Sequence, residues 1–393
     1  MKKSLLLCVC VLSLGALSAF TEVSSNIGNS TTWSLSGSPY IITGNVSVVG
    51  SSNPVLTIEA GVQVLFNSQA SLIIGHGSNS GYAGGLIVNG TQQSPVLFSA
   101  NQAPPQPGHW NSLRFNTQCL NDQLLINHAT FEYGGFTNTM VEVGGGNPVF
   151  DHCLFRHSAS MGISHSSNSV SAAIQNCTFE NNASYPLRWN PASVYQIGAG
   201  NSYSGNTPQR ILLKAVTLTQ GTTWHDPGIP YELEDNIIIQ TGINPLIIQT
   251  GVDLLFREGD GLNVGHGTSV SLDGCVTAEG ASFAAVNPAT RWNGIRIDVY
   301  SGPCQFTGCL IQDAGPLALG GFYIRTLTNP VLLDDCDFVN IDNYAVWANE
   351  NAMFQIQNCS FTTCRNTVSV YPNDMAKLKG GNHYNGNTDN RIH

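Results

Sequence analysis

The chain has 393 residues, with 15 Lys and Arg against 25 Asp and Glu, a formal charge of −10. So few cations cannot release counterions from a polyanion, which excludes nucleic acid as the natural partner. Charged residues make up only 10% of the chain while glycine reaches 41 residues, an alphabet poor in helix formers that points to strands and turns.

The first element is a leader. Met1-Lys2-Lys3, an apolar run from Leu5 to Leu17 and the small residues Ser18-Ala19 read as a secretory signal over residues 1–19. The run is too short for a spanning helix, and no later stretch approaches ~20 apolar residues, so an exported chain without a transmembrane segment is expected, secreted or associated with the cell envelope.

After an N-terminal segment, 20–30, the chain divides into two copies, 31–213 and 214–393. Thr31-Thr32-Trp33, Pro39-Tyr40 and Asn53-Pro54 return as Thr222-Thr223-Trp224, Pro230-Tyr231 and Asn244-Pro245. Gly75-His76-Gly77 returns as Gly265-His266-Gly267, Trp110-Asn111 as Trp292-Asn293, and Gly200-Asn201 with Tyr203 as Gly381-Asn382 with Tyr384. Repeats of this kind mark a solenoid.

A shorter period runs inside each copy. Ile126-Asn127-His128-Ala129-Thr130-Phe131, Phe150-Asp151-His152-Cys153-Leu154-Phe155 and Ile174-Gln175-Asn176-Cys177-Thr178-Phe179 follow at intervals of 24 residues. Leu333-Asp334-Asp335-Cys336-Asp337-Phe338 and Ile356-Gln357-Asn358-Cys359-Ser360-Phe361 repeat the pattern in the second copy. Cys and Phe two apart share one strand face, and the apolar residue three before the Cys joins that face only if the chain bends at the His, Asn or Asp between them. Strand, bend and strand every ~24 residues predicts an all-β, right-handed parallel β-helix of about fifteen coils, a rod on the order of 70 Å long.

These Asn-Cys-x-Phe coils resemble the right-handed parallel β-helix proteins of the pectin-lyase-like superfamily, as do Pro54 to Val62 and Gly90-Thr91 with Pro95 to Phe98, in the manner of exported bacterial repeat proteins. The resemblance implies the fold; lyases, hydrolases and adhesins share it, so it assigns no chemistry.

The nine cysteines beyond the leader read as a ladder of small buried hydrophobes, five of them at the same coil position, with Cys304/Cys309 and Cys359/Cys364 the pairs best spaced for a disulfide. CxxC metal spacing is absent. His76 and His266, each between glycines, read as turn residues. For catalysis, the carboxylates Asp334 and Asp337, with Asp313, Asp335 and Asp342 near, and Arg325 as the base, define a polysaccharide lyase in which Ca²⁺ is held by oxygen ligands, or a carboxylate-pair glycoside hydrolase. For binding, Tyr185, Trp189, Tyr344 and Trp347 are the candidate sugar platform, whereas the matched pairs Trp33/Trp224 and Trp110/Trp292 read as structural. The leading expectation is a non-catalytic exported protein that needs no cofactor and binds glycan or another cell-surface component; the alternatives are the enzyme and a purely structural spacer. Oligomeric state is not written in the sequence.

Overall fold

The computed structural model describes residues 20–165, 172–265, 274–315, 320–327 and 329–389. The leader and His266 lie outside them. The chain is an all-β parallel solenoid of about 13 turns. In the first half each turn visits an eight-stranded sheet, then a fourteen-stranded sheet, then a six-stranded sheet; in the second half it visits the same fourteen-stranded sheet, then a seven-stranded and another six-stranded one. Fourteen stacked strands make a rod of roughly 60 Å at ~4.8 Å per step. The shortfall from fifteen coils has a simple cause: some turns carry long loops, and Phe98 and Phe131, neighbours in register, are 33 residues apart.

The predicted hexapeptides fold as read. Phe131, Phe155, Phe179 and Tyr203 lie in register on successive turns. Their rings stack at 5.0, 4.9 and 5.5 Å. Phe338, Phe361 and Tyr384 do the same at 5.1 and 5.2 Å. Each buried Phe contributes roughly 1.5–3 kcal/mol of burial, and no single turn could supply its neighbours.

The bend residues adopt left-handed backbone: His128, His152, Asn176, Asp335 and Asn358 have φ between 47° and 55°. A second left-handed column, Tyr133, His157, Asn181 and Gly205, closes the other end of the same strands. Asn and Asp tolerate this region because their short side chains bond locally.

The cysteines form the expected ladder. Eight of the nine are buried, Cys119 is half-buried, and all are free thiols, so neither Cys304/Cys309 nor Cys359/Cys364 is bridged. Their thiols donate back to carbonyls at the bend, as Cys153 does to Ile126 O and Asp151 O, both at 3.4 Å.

Two features differ from the expected boundaries. The solenoid begins ahead of Thr31, since Thr21–Val23 pairs with Tyr40–Ile42 and Ile27 bridges Val48. Segment 20–30 is therefore the first turn. The second half is also clocked by one face: Tyr40, Phe66 and Tyr203 lie in the eight-stranded sheet, while their sequence counterparts Tyr231, Phe256 and Tyr384 lie in the fourteen-stranded one. Ile211–Leu213 makes the splice, pairing with Leu187–Trp189 on one side and Tyr231–Leu233 on the other.

Candidate functional site

Side chains alternate along each strand, so every sheet carries one inward and one outward column. In the seven-stranded sheet the inward column includes Leu262, Ile295, Phe322, Val346 and Val368, all buried. The outward column is Asn263, Arg296, Tyr323, Trp347 and Ser369, one per turn and in register. Each is partly exposed.

The Tyr323 and Trp347 rings lie 5.2 Å apart, inclined by 37°, and Tyr344 flanks Trp347 at 6.1 Å. Two guanidinium groups stand over the Tyr323 ring, Arg296 at 5.9 Å and Arg325 at 6.0 Å. One carboxylate serves both. Asp298 Oδ2 takes Arg296 Nε and Nη2 at 3.1 and 2.9 Å, and Asp298 Oδ1 takes Arg325 Nη1 at 3.1 Å and the Val299 N–H at 2.7 Å. Two cations share one buried anion, so the cluster keeps a local excess of positive charge on a chain whose formal charge is −10. Arg325 Nε is buried and has no partner among the described residues.

This arrangement regroups the residues singled out in the sequence. Tyr344 and Trp347 come together with Arg325, which had been assigned to the carboxylates. Arg325 follows the strand Phe322–Ile324 of the seven-stranded sheet, whereas Asp334 ends the strand Val331–Asp334 at the far corner and Asp337 opens the next sheet. Four strand residues at ~3.3 Å each separate the two corners. The Asp334 carboxylate instead accepts Gln357 Nε2 and Asn358 Nδ2, both at 2.8 Å, a ladder across one turn. Asp337 is exposed on the outward face. Asp313 and Asp342 are both held by Arg291, at 3.0 Å each. Among the described residues no three His, Cys, Asp or Glu side chains are grouped as a metal site.

The other binding candidates are corrected by strand phase. Trp189 is fully buried, stacks on His165 at 5.1 Å and donates Nε1 to Ser193 O at 3.0 Å. It points inward because Leu187 and Trp189 occupy the core phase of their strand and Arg188 the outer one. Tyr185 is half-buried; its hydroxyl lies 2.9 Å from Glu232 Oε1 and accepts Arg257 Nη2 at 3.3 Å. Burial, and then the Glu232 carboxylate, raises the phenol's pKa above its ordinary value. Arg210 and Arg257 also reach Glu232, at 3.1 and 2.8 Å, so Tyr185 belongs to a latch across the splice between the halves.

His76 does serve a turn. Its Nδ1 accepts the Ser78 and Asn79 N–H groups at 3.1 and 2.8 Å, and a Cβ on Gly75 would meet Gln118 O at 2.0 Å. The matched tryptophans Trp110 and Trp292 are buried and donate to the Glu132 and Gln312 carbonyls, both at 2.8 Å.

A shallow trough of about 920 Å³ that the sequence reading missed lies at the first-half corner, lined by His128, His152, Thr130, Thr178 and Gln92. His128 and His152 stack at 4.7 Å, and His152 Nδ1 lies 2.8 Å from Asp151 Oδ1. Burial opposes ionisation of Asp151, but bonds from Asn176, Gln175 and His152 outweigh it and lower its pKa. The signal available was the left-handed bend itself, which turns its side chain out of the rod.

No known protein family matches this chain, and no curated protein is detectably similar to it in sequence. Among the described residues no helix is long and apolar enough to cross a membrane.

Proposed function

We propose that the chain is a non-catalytic, exported β-solenoid of the pectin-lyase-like type, built from two tandem copies, that binds a strand of acidic glycan along the outward column of its seven-stranded sheet. The observation that carries this reading is the Tyr323–Trp347 ring pair in register, with Arg296 and Arg325 over the Tyr323 ring. Rings one turn apart repeat at ~4.8 Å, a step comparable to one sugar unit, and exposed aromatic faces stack on the apolar faces of pyranose rings. Guanidinium groups beside them suit the planar carboxylates of uronates through paired N–H donors.

The test is calorimetric titration with uronate and neutral polysaccharides, with and without Ca²⁺, alongside assays for new reducing ends and for the ultraviolet absorbance of unsaturated products. Binding that prefers the acidic polymer, proceeds without turnover and is lost in Trp347→Ala is the expected result. Turnover lost in Asp334→Ala or Arg325→Ala would replace this reading with the lyase or hydrolase. Silence in both assays would leave a structural spacer.

A further inference from the structure

The splice between the halves is a working example of one solenoid end stacked on another. At the end of the first half, the 3-10 segment Pro191–Gln196 is covered by the strand Thr222–Trp224. Trp224 Nε1 donates to Pro191 O at 2.9 Å, Thr222 Oγ1 donates to Ala192 O at 3.3 Å, and the His225 ring meets Ile197 O. Under this cover Pro191, Val194 and Ile197 are buried.

Among the described residues the C-terminal end presents the same surface uncovered. The 3-10 segment Pro372–Lys377 stands at the position of Pro191–Gln196, with Pro372, Met375 and Leu378 in place of Pro191, Val194 and Ile197. Pro372 is exposed, Met375 is 43% exposed and Leu378 is half-exposed, whereas Val194 and Ile197 are at 0%. At the opposite end of the rod, Thr31–Trp33 carries the same Thr-Thr-Trp as the covering strand. Thr31 and Thr32 are exposed, and the Trp33 indole N–H has no acceptor among the described residues. Phe20 is 59% exposed and Ile27 half-exposed in the same first turn. Charge agrees in sign: from residue 20 to residue 113 the turns carry Glu22 and Glu59 and no Lys or Arg, while Arg365 and Lys379 stand at the other end, where Lys377 is paired with Asp374 at 2.6 Å.

We infer that the C-terminal end of one copy docks the N-terminal turn of a second copy of this chain, repeating the internal splice between molecules. Thr31–Trp33 of the incoming copy lies on Pro372–Lys377, its indole N–H on Pro372 O, and its Thr31 hydroxyl turns from Asn29 O to Asn373 O. This is a heterologous, head-to-tail contact, so it propagates as an open rod and does not close as a dimer. Parallel strands left with unpaired edges at a rod's end favour the same outcome.

The test uses protein carrying residues 20–393. Small-angle scattering over a concentration series reads length and cross-section separately; the length grows in whole multiples of one molecule at constant cross-section, and Met375→Glu, a surface change checked for an unaltered melting curve, moves the onset to at least tenfold higher concentration. Independently, oxidised Thr31→Cys/Asn373→Cys gives a ladder of covalent multimers on a denaturing gel that neither single variant gives. A single length at all concentrations, growth in cross-section, an unmoved onset in Met375→Glu, or a double variant no different from the singles overturns the inference.

Discussion

The outward columns that follow the phenylalanine strands differ sharply between the two halves. In the first half the column runs Ile73, Arg114, Glu142, Ser164 and Arg188. In the second it runs Asn263, Arg296, Tyr323, Trp347 and Ser369. Arg114 and Arg296 stand at matching places after Trp110 and Trp292. In the first half the arginine is neutralised by the next turn, Arg114 to Glu142 at 2.8 Å, beside a polar hollow of about 390 Å³. In the second half the next turn offers an aromatic ring. The inward columns are alike and the outward ones are not, which is how a scaffold and a site placed upon it are told apart.

The largest effect should fall on what the halves share. Phe155→Ala and Phe338→Ala remove matched rings from the two buried stacks, and each should lower unfolding stability by about 3–5 kcal/mol in denaturant titration. A much smaller loss in one half would break the equivalence of the cores. Next comes the latch at the splice. Glu232→Ala deletes a buried carboxylate held by Arg210, Arg257 and Tyr185, and should cost about 2–3 kcal/mol, milder than for a sealed ion pair because both arginines reach water.

The outer columns should separate on binding. Trp347→Ala should weaken the acidic glycan at least about tenfold, ~1.4 kcal/mol, with stability nearly unchanged, while Arg188→Ala in the first-half column leaves affinity as it was. A Glu142→Tyr/Ser164→Trp graft would sharpen the contrast by adding a second, weaker site, read as a stoichiometry above one.

The smallest effect is one of pH. Burial, and then the neighbouring Asp235, push the Asp260 carboxyl up to about 6, whereas the first half has Ala70 and Gly44 at these places. The folded state then holds its proton more tightly than the unfolded chain does, so this group's contribution to stability falls as pH rises from about 4 to about 6. Asp260→Asn should remove that slope and stabilise the protein at neutral pH by less than about 1 kcal/mol, because the group is well solvated. Melting curves across this window check it.

Much of the fold was legible because it is local and repeated. The bend residue in Phe150-Asp151-His152-Cys153 had to be left-handed for Phe150 and Phe155 to share a core, and it is, with φ 52° at His152. The second left-handed column at Tyr133, His157 and Asn181 escaped notice because it follows the Phe strand instead of interrupting a hexapeptide. Trp189 and Trp347 both stand in the candidate sugar platform, although alternation distinguishes them: Leu187-Arg188-Trp189 puts the ring in, and Val346-Trp347-Ala348 puts it out. The pairing of Arg325 with Asp298, 27 positions earlier, was not legible at all, since it depends on which turns stack and where their corners fall.

The one-face clocking at Ile211–Leu213 limits what a ligand can reach. In the first half the chain leaves the fourteen-stranded sheet for a six-stranded one and in the second half for the seven-stranded one, so the aromatic column and the matched Arg114 column lie on different sheets. A straight polymer following Trp347, Tyr323 and Arg296 down the rod continues over Asn263 and stays off the fourteen-stranded sheet that carries the matched Arg114 column. The two halves therefore act as crank throws on one shaft. On the proposed reading a single strand gains no avidity by lying along both, and a second ligand would leave the rod in another direction, at an angle set by the splice.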